Sequence, residues 1–117
     1  MKQRFDFTVV AAEGYKALLG VHSYVQKSGI DLGLLELVKI RVSQINGCAF
    51  CLAMHIPLAR KNGVSDDQLN LLVAWREAPV FNNQERAALA WAESMTHLIG
   101  GEVPDPIYEQ ACAQFSM

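Results

Sequence analysis

The feature that most limits the fold of this chain is a regular succession of turn signals between apolar segments of helical period. Ser28-Gly29, Asn46-Gly47 and Asn62-Gly63 separate segments in which apolar residues recur every three or four positions, the spacing of one helix face. No segment shows a convincing strand-like alternation of apolar and polar residues. The chain is therefore predicted to be all-α, a compact bundle of about five to six helices forming one domain over residues 1–117.

The residues at the predicted helix ends agree with known cap preferences. Asp31 is a favourable N-cap residue for the helix that begins there. Ser65 with Gln68, and Asn82 with Glu85, have capping-box spacing. Pro57 lies inside the third helix, where a proline removes a hydrogen bond, so we expect a kink or an early end there. The predicted helices are 9–27, 31–46, 48–61, one opened by Ser65, one opened by Asn82, and 107–115.

The composition favours self-association and excludes one class of partner. The chain is 51% hydrophobic and 19% charged, against about 25% charged residues in typical soluble chains. Part of its apolar surface is therefore expected to lie in contacts between copies, as in a homo-oligomer. The net charge is −2 and there is no basic stretch, so nucleic-acid binding is not expected.

Neither a membrane span nor a targeting segment is evident. No apolar run approaches the roughly 18 residues that a membrane helix needs. Asp6 and Glu13 interrupt the apolar stretch that a secretory signal would require. The expected compartment is the cytoplasm.

The chain has three cysteines, an odd number that makes a poor disulfide framework. Cys48 and Cys51 are three residues apart, which suits redox chemistry or metal binding. At about 100° per helical residue, Cys48, Cys51 and His55 fall within about 60° of arc and share one helix face. Cys48 follows the Asn46-Gly47 turn at the helix start, where free N–H groups and the helix dipole favour a thiolate. His55 can accept or return a proton near neutral pH.

Two other readings of this pattern stay open on spacing alone. The cysteines and the histidine could be ordinary packing residues. They could also ligate zinc, with Glu36 or Cys112 as a fourth ligand, although structural zinc sites usually bring a second closely spaced ligand pair, which this chain lacks. Glu36, on the preceding helix among leucines, could be a solvated residue, or could fold back to orient His55 and receive its proton.

Taken together, Glu36-x11-Cys48-x-x-Cys51-x-x-x-His55 resembles the core motif of the alkylhydroperoxidase D (AhpD)-like proteins in the carboxymuconolactone decarboxylase superfamily. The resemblance runs through LLELVKIRVSQINGCAFCLAMH and on to ERAALAWAESMT, with the core motif at 34–62. It implies an all-helical fold, a homo-oligomer (commonly a trimer or hexamer), and reduction of hydroperoxides by the cysteine pair. It also implies regeneration by a dithiol, such as a lipoyl group on a partner protein, with no bound cofactor or metal.

The resemblance also implies roles for the site residues. Cys51 would attack the peroxide and become a sulfenic acid, Cys48 would condense with it to a disulfide, and Glu36 with His55 would relay protons. The position of Cys48 at the helix start instead favours Cys48 as the more acidic thiol, so the division of labour between the cysteines stays open.

The chain departs from the family pattern at two positions. Phe50 stands where the best-studied motif has a histidine, which removes one member of the proton network. The sequence stops at Met117, where family members usually continue into another helix, so a truncated or unusual terminus is expected. Two alternative functions follow: a lactone decarboxylase of the same superfamily, and a non-enzymatic redox-sensing oligomer.

Overall fold

The computed structural model describes residues 3–98 and 100–116, so Met117 lies outside the described residues. Every regular element in these ranges is helical, which confirms the all-α prediction. The described residues form seven α-helices and one 3-10 helix, compared with the five to six helices expected. They are α1 (Phe7–Val10), α2 (Ala12–Gln26), α3 (Leu32–Asn46), α4 (Ala49–Lys61), α5 (Asp66–Leu71), the 3-10 helix Leu72–Ala74, α6 (Asn83–His97) and α7 (Asp105–Gln114).

The chain divides into two compact units, Met1–Ile30 and Asp31–Met117. The first contains α1 and α2, which replace the single helix predicted over 9–27. Ala11, at φ −125° and ψ 47°, breaks the helical path between them. No residue of α2 is buried, although the helix carries Leu18, Leu19, Val21 and Tyr24.

The core of the second unit forms where α3 packs against α4 and α6, with α7 packed on α6. Leu37, Ile40, Leu72 and Leu89 are the largest fully buried side chains. They come from α3, from the 3-10 helix and from α6, and the buried Ala59 of α4 joins the same cluster. Burial of this apolar surface is the main stabilising contribution to the unit.

The turn between α3 and α4 places Cys48 at the start of α4. Gly47 adopts φ 65°, a left-handed conformation that favours glycine, and thereby ends α3. The N–H of Cys48 then donates to the carbonyl of Ser43 at 3.0 Å, as in a helix C-terminal cap. Cys48 has extended backbone angles and is the N-cap of α4.

The predicted caps of α3, α5 and α6 are confirmed, and α4 continues past Pro57 to its predicted end. The carboxylate of Asp31 caps α3, and both capping boxes are present at α5 and α6. An early end, one of the two outcomes expected at Pro57, does not occur, because α4 runs to Lys61. The carbonyl that a Pro57 N–H would have bonded belongs to Ala53, which is exposed and so accessible to water.

No helix in the described part of the chain is both long enough and apolar enough to cross a membrane.

Candidate functional site

Cys48 and Cys51 are joined by a disulfide, with an S–S distance of 2.10 Å and Cα atoms 5.3 Å apart. The sulfur of Cys48 also accepts a hydrogen bond from the backbone N–H of Cys51 at 3.3 Å. Both residues are half-buried. The first turn of α4 therefore holds a dithiol pair at its N-terminus, where unpaired N–H groups stabilise negative charge on sulfur.

His55 and Glu36 form a second contact in the same region. His55 lies one turn beyond Cys51 on α4, and its Nδ1 is 2.7 Å from Oε2 of Glu36 on α3. The side chain of Glu36 is 4% exposed and that of His55 is 13% exposed. With the carboxylate accepting from Nδ1–H, Nε2 of a neutral His55 carries the free lone pair that a base needs.

The structure thus brings Glu36 and His55 into direct contact and bonds Cys48 to Cys51. Cys51 and His55 lie on α4, and Cys48 is its N-cap. The interpretation of Glu36 as a solvated residue is wrong, since its side chain is buried. The Glu36–His55 pair can carry a proton, and the cysteine pair can carry two electrons.

Lys39 is a member of this site that the sequence reasoning missed. Its Nζ lies 2.9 Å from Oε1 of Glu36, the carboxylate oxygen that His55 does not use. The available signal was its position three residues after Glu36, a spacing that places two side chains on neighbouring turns of one helix.

Phe50 stands beside Cys51, and 77% of it is exposed. Met54 and Leu58 follow at four-residue intervals on α4, and each is at least 40% exposed. These three residues form an exposed apolar stripe along the helix that carries the dithiol pair.

A second buried carboxylate, Glu93 of α6, links α6 to α3 and to the segment after the 3-10 helix. It accepts from Arg41 Nε at 2.7 Å, from Trp75 Nε1 at 2.9 Å and from Arg76 Nη1. Burial alone would raise the pKa of Glu93, but the hydrogen bonds from Trp75, Arg76 and Arg41 outweigh it, and the charge of Arg76 adds to them. The pKa of Glu93 therefore lies below its usual value of 4.5.

A small cavity of about 260 Å³ adjoins this cluster, and residues lining it include Arg76, Glu93 and His97. Cys112, considered above as a zinc ligand, lies exposed on α7. No group of three or more His, Cys, Asp or Glu side chains among the described residues is arranged to hold a metal ion.

The sequence pattern of the carboxymuconolactone decarboxylase family matches residues 11–94. This match covers most of the chain, including the Glu36, Cys48, Cys51 and His55 positions. The chain belongs to this family. Within the carboxymuconolactone decarboxylase family it is AhpD-like, as its motif indicated and as a solved structure supports.

That solved structure is of a protein of unknown function from Agrobacterium tumefaciens, for which a role as the antioxidant defence protein AhpD has been suggested. It superposes with a TM-score of 0.91 at 40% identity, over 98% of this chain and 79% of that chain. An all-helical, AhpD-like fold is therefore shown for this carboxymuconolactone decarboxylase family member.

Two relatives of this family member are uncharacterized proteins. YdfG of Bacillus subtilis is 40% identical over 110 residues, which are 94% of this chain and 75% of YdfG. YnjA of Escherichia coli is 34% identical over 70 residues, which are 59% of this chain and 38% of YnjA. These relatives support the family without naming a substrate.

Proposed function

We propose that the protein is a thiol-dependent hydroperoxide reductase of the antioxidant type, with Cys48 and Cys51 as its redox centre. The observation that carries the proposal is the part-buried Glu36–His55 contact of 2.7 Å, which lies one helical turn from Cys51. A dithiol next to a base that a carboxylate orients has the groups that peroxide reduction needs.

The proposed reaction starts from the reduced protein. His55 takes the proton of one thiol, and the thiolate attacks the peroxide so that the O–O bond breaks. The sulfur becomes a sulfenic acid, and the alkoxide leaves as an alcohol with the proton from His55. The second thiol then displaces water from the sulfenic acid and forms the disulfide. One hydroperoxide and two thiols thus give an alcohol, water and the disulfide.

The identity of the attacking cysteine is open to experiment. The family resemblance assigns the attack to Cys51 and the resolving step to Cys48. The hydrogen bond from the Cys51 N–H to the sulfur of Cys48, at 3.3 Å, instead favours negative charge on Cys48. Trapping of a sulfenic acid in Cys48→Ser and in Cys51→Ser, with a dimedone-type reagent, distinguishes the two assignments.

Replacement of either cysteine tests the proposed function. We expect Cys51→Ser to lower the rate of hydroperoxide consumption, with dihydrolipoamide as reductant, by at least about a hundredfold, because the disulfide can no longer form. Cys112→Ser serves as the matched control, since Cys112 is exposed and unbonded to another cysteine, and it should retain the wild-type rate. Equal rates for wild type and Cys51→Ser would contradict the proposal.

The proposed partners are a dithiol reductant, in particular a lipoyl-carrying protein, and further copies of the chain. Exposed apolar side chains on α2 support a homo-oligomer, a trimer or hexamer by family resemblance, because such a surface is normally covered. Native mass spectrometry with and without oxidant gives the subunit number and shows whether two hydrogens are lost per chain.

The cytoplasm is the proposed compartment, since its reducing thiols can reopen the disulfide. We treat residues 1–117 as one functional domain.

Lactone decarboxylation is the second candidate, favoured by the reaction for which the matching family is described. That chemistry does not require a dithiol. Decarboxylation of a carboxymuconolactone that survives alkylation of both Cys48 and Cys51 would establish it.

A third candidate function is redox sensing without catalysis, and it is motivated by Phe50. It predicts a Cys48–Cys51 disulfide that forms and opens reversibly with no turnover of any peroxide.

A further inference from the structure

We propose that Lys39 is a positioning residue of the dithiol site, which keeps His55 in its neutral, proton-accepting form by supplying the positive charge that balances Glu36. The proposal rests on the function proposed above, in which His55 takes a thiol proton. It concerns a residue outside the cysteine, histidine and glutamate motif.

The two oxygens of the Glu36 carboxylate have separate partners. Oε1 accepts from Lys39 Nζ at 2.9 Å, and Oε2 contacts His55 Nδ1 at 2.7 Å. The Glu36 side chain is 4% exposed and that of Lys39 is 22% exposed. A carboxylate this deeply buried requires a compensating charge or donor, because its desolvation is costly.

Charge balance gives Lys39 its effect on His55. With Lys39 present, the group Lys39, Glu36 and neutral His55 has no net charge. Without Lys39, the same buried group is neutral only when His55 is an imidazolium. In a partly desolvated site the neutral arrangement is favoured, so loss of Lys39 would leave a proton on His55.

This difference determines what His55 can do. A neutral ring that donates Nδ1–H to Glu36 presents the lone pair of Nε2 and can accept a proton from a thiol. An imidazolium has a hydrogen on both nitrogens and can only release one. Lys39 would thus prepare the site for the first step of the reaction without contacting the substrate.

The other charged groups on the packed elements either bond to other partners or lie exposed. Arg41 of α3 is held by Glu93 of α6, and Arg60 of α4 pairs with Asp66. Three further charged residues in α6 and in the segment before it also bond to groups other than Glu36 and His55. They are Arg76, Glu85 and Arg86. Lys61 and His97 are exposed in the last turns of α4 and α6. Within the described residues, the side chains that form a hydrogen bond or an ion pair with the Glu36 carboxylate are Lys39 and His55.

The charge state of His55 can be measured directly by NMR of its ring nitrogens in the disulfide form, where the cysteines do not titrate. We expect Lys39→Met to retain the His55 proton to a higher pH than wild type does, because the positive charge that balances Glu36 is gone. Lys39→Arg, which preserves the charge, should restore the wild-type profile. Lys61→Met is the matched control, because it removes a lysine charge from an exposed position on α4. The His55→Gln variant identifies the NMR signals of the His55 ring nitrogens, because its spectrum lacks them.

An unchanged His55 profile in folded Lys39→Met, or a shift of equal size in Lys61→Met, would overturn the proposal. Helical circular dichroism establishes that each variant is folded, and Lys39→Arg provides the comparison if Lys39→Met is not. The measurement needs no peroxide. A wild-type protein that consumes no hydroperoxide would therefore refute the proposed function while leaving the effect of Lys39 on His55 measurable.

Discussion

Replacement of Glu93 by glutamine should destabilise the protein at neutral pH and much less in acid. Glu93 accepts hydrogen bonds from Arg41, Trp75 and Arg76. A glutamine has the same shape but no charge, and its amide N–H₂ would face a guanidinium that also donates. Glutamine has one acceptor oxygen, so it reproduces at most one of the two carboxylate oxygens of Glu93.

The magnitude follows from the exposure of the donors. The side chain of Arg41 is 16% exposed and Trp75 is 5% exposed, so their bonds to Glu93 together contribute about 2–4 kcal/mol. Arg76 is 56% exposed, and its ion pair adds no more than about 1 kcal/mol. Glutamine retains part of the stabilisation that these interactions provide. Glu93→Gln should therefore lower the free energy of unfolding by about 2–3 kcal/mol at pH 7.

The pH dependence provides the sharper test. The pKa of Glu93 is lower in the folded protein than its ordinary value of 4.5. Its stabilising contribution is therefore fully present above that value and is lost as the pH falls through the folded-state pKa. Glutamine does not titrate, so the difference between wild type and variant should shrink steadily below pH 4.5.

The assay is urea unfolding followed by circular dichroism from pH 7 down to the lowest pH at which the wild type is folded. Protein concentration is held constant because self-association would shift the midpoint. Glu109→Gln, at an exposed position of α7, is the control and should change stability by less than about 0.5 kcal/mol. A difference between wild type and Glu93→Gln that is the same at every pH would refute the reasoning.

Two further substitutions test the packing that positions the site. Leu37→Ala removes a side chain that is 1% exposed in the core beside Glu36 and should cost about 2–5 kcal/mol in the same unfolding assay; a loss below about 1 kcal/mol would contradict the packing described. Gly33→Ala places a Cβ 2.9 Å from the carbonyl oxygen of Asn62 and should destabilise by about 1–3 kcal/mol. Gly14→Ala is its helical control, since nothing lies within 4 Å of its Cβ, and it should be neutral or stabilising; equal losses for both glycines would exclude the steric explanation.

Local sequence signals predicted the elements of the second unit well. Asp31, the Ser65–Gln68 pair and the Asn82–Glu85 pair cap helices as expected, because a cap depends on residues within one turn of chain. No glycine or proline stands at Ala11 to indicate a break. The sequence therefore predicts one continuous first helix over 9–27. At Pro57 the sequence signal was clear, but exposure of Ala53 allows the helix to continue, and exposure is a tertiary property.

The candidate site, like the fold, could be predicted from the sequence only in part. The sequence by itself determined that Cys48, Cys51 and His55 share a face of one helix, because helical periodicity places residues three and four apart on the same side. The Asn46-Gly47 turn also determined that Cys48 stands at the helix start. Only the tertiary structure decided that Glu36 is buried and reaches His55 from 19 positions away, with Lys39 on its other oxygen. Burial and contact between helices depend on how α3 packs against α4, and local periodicity does not contain that information.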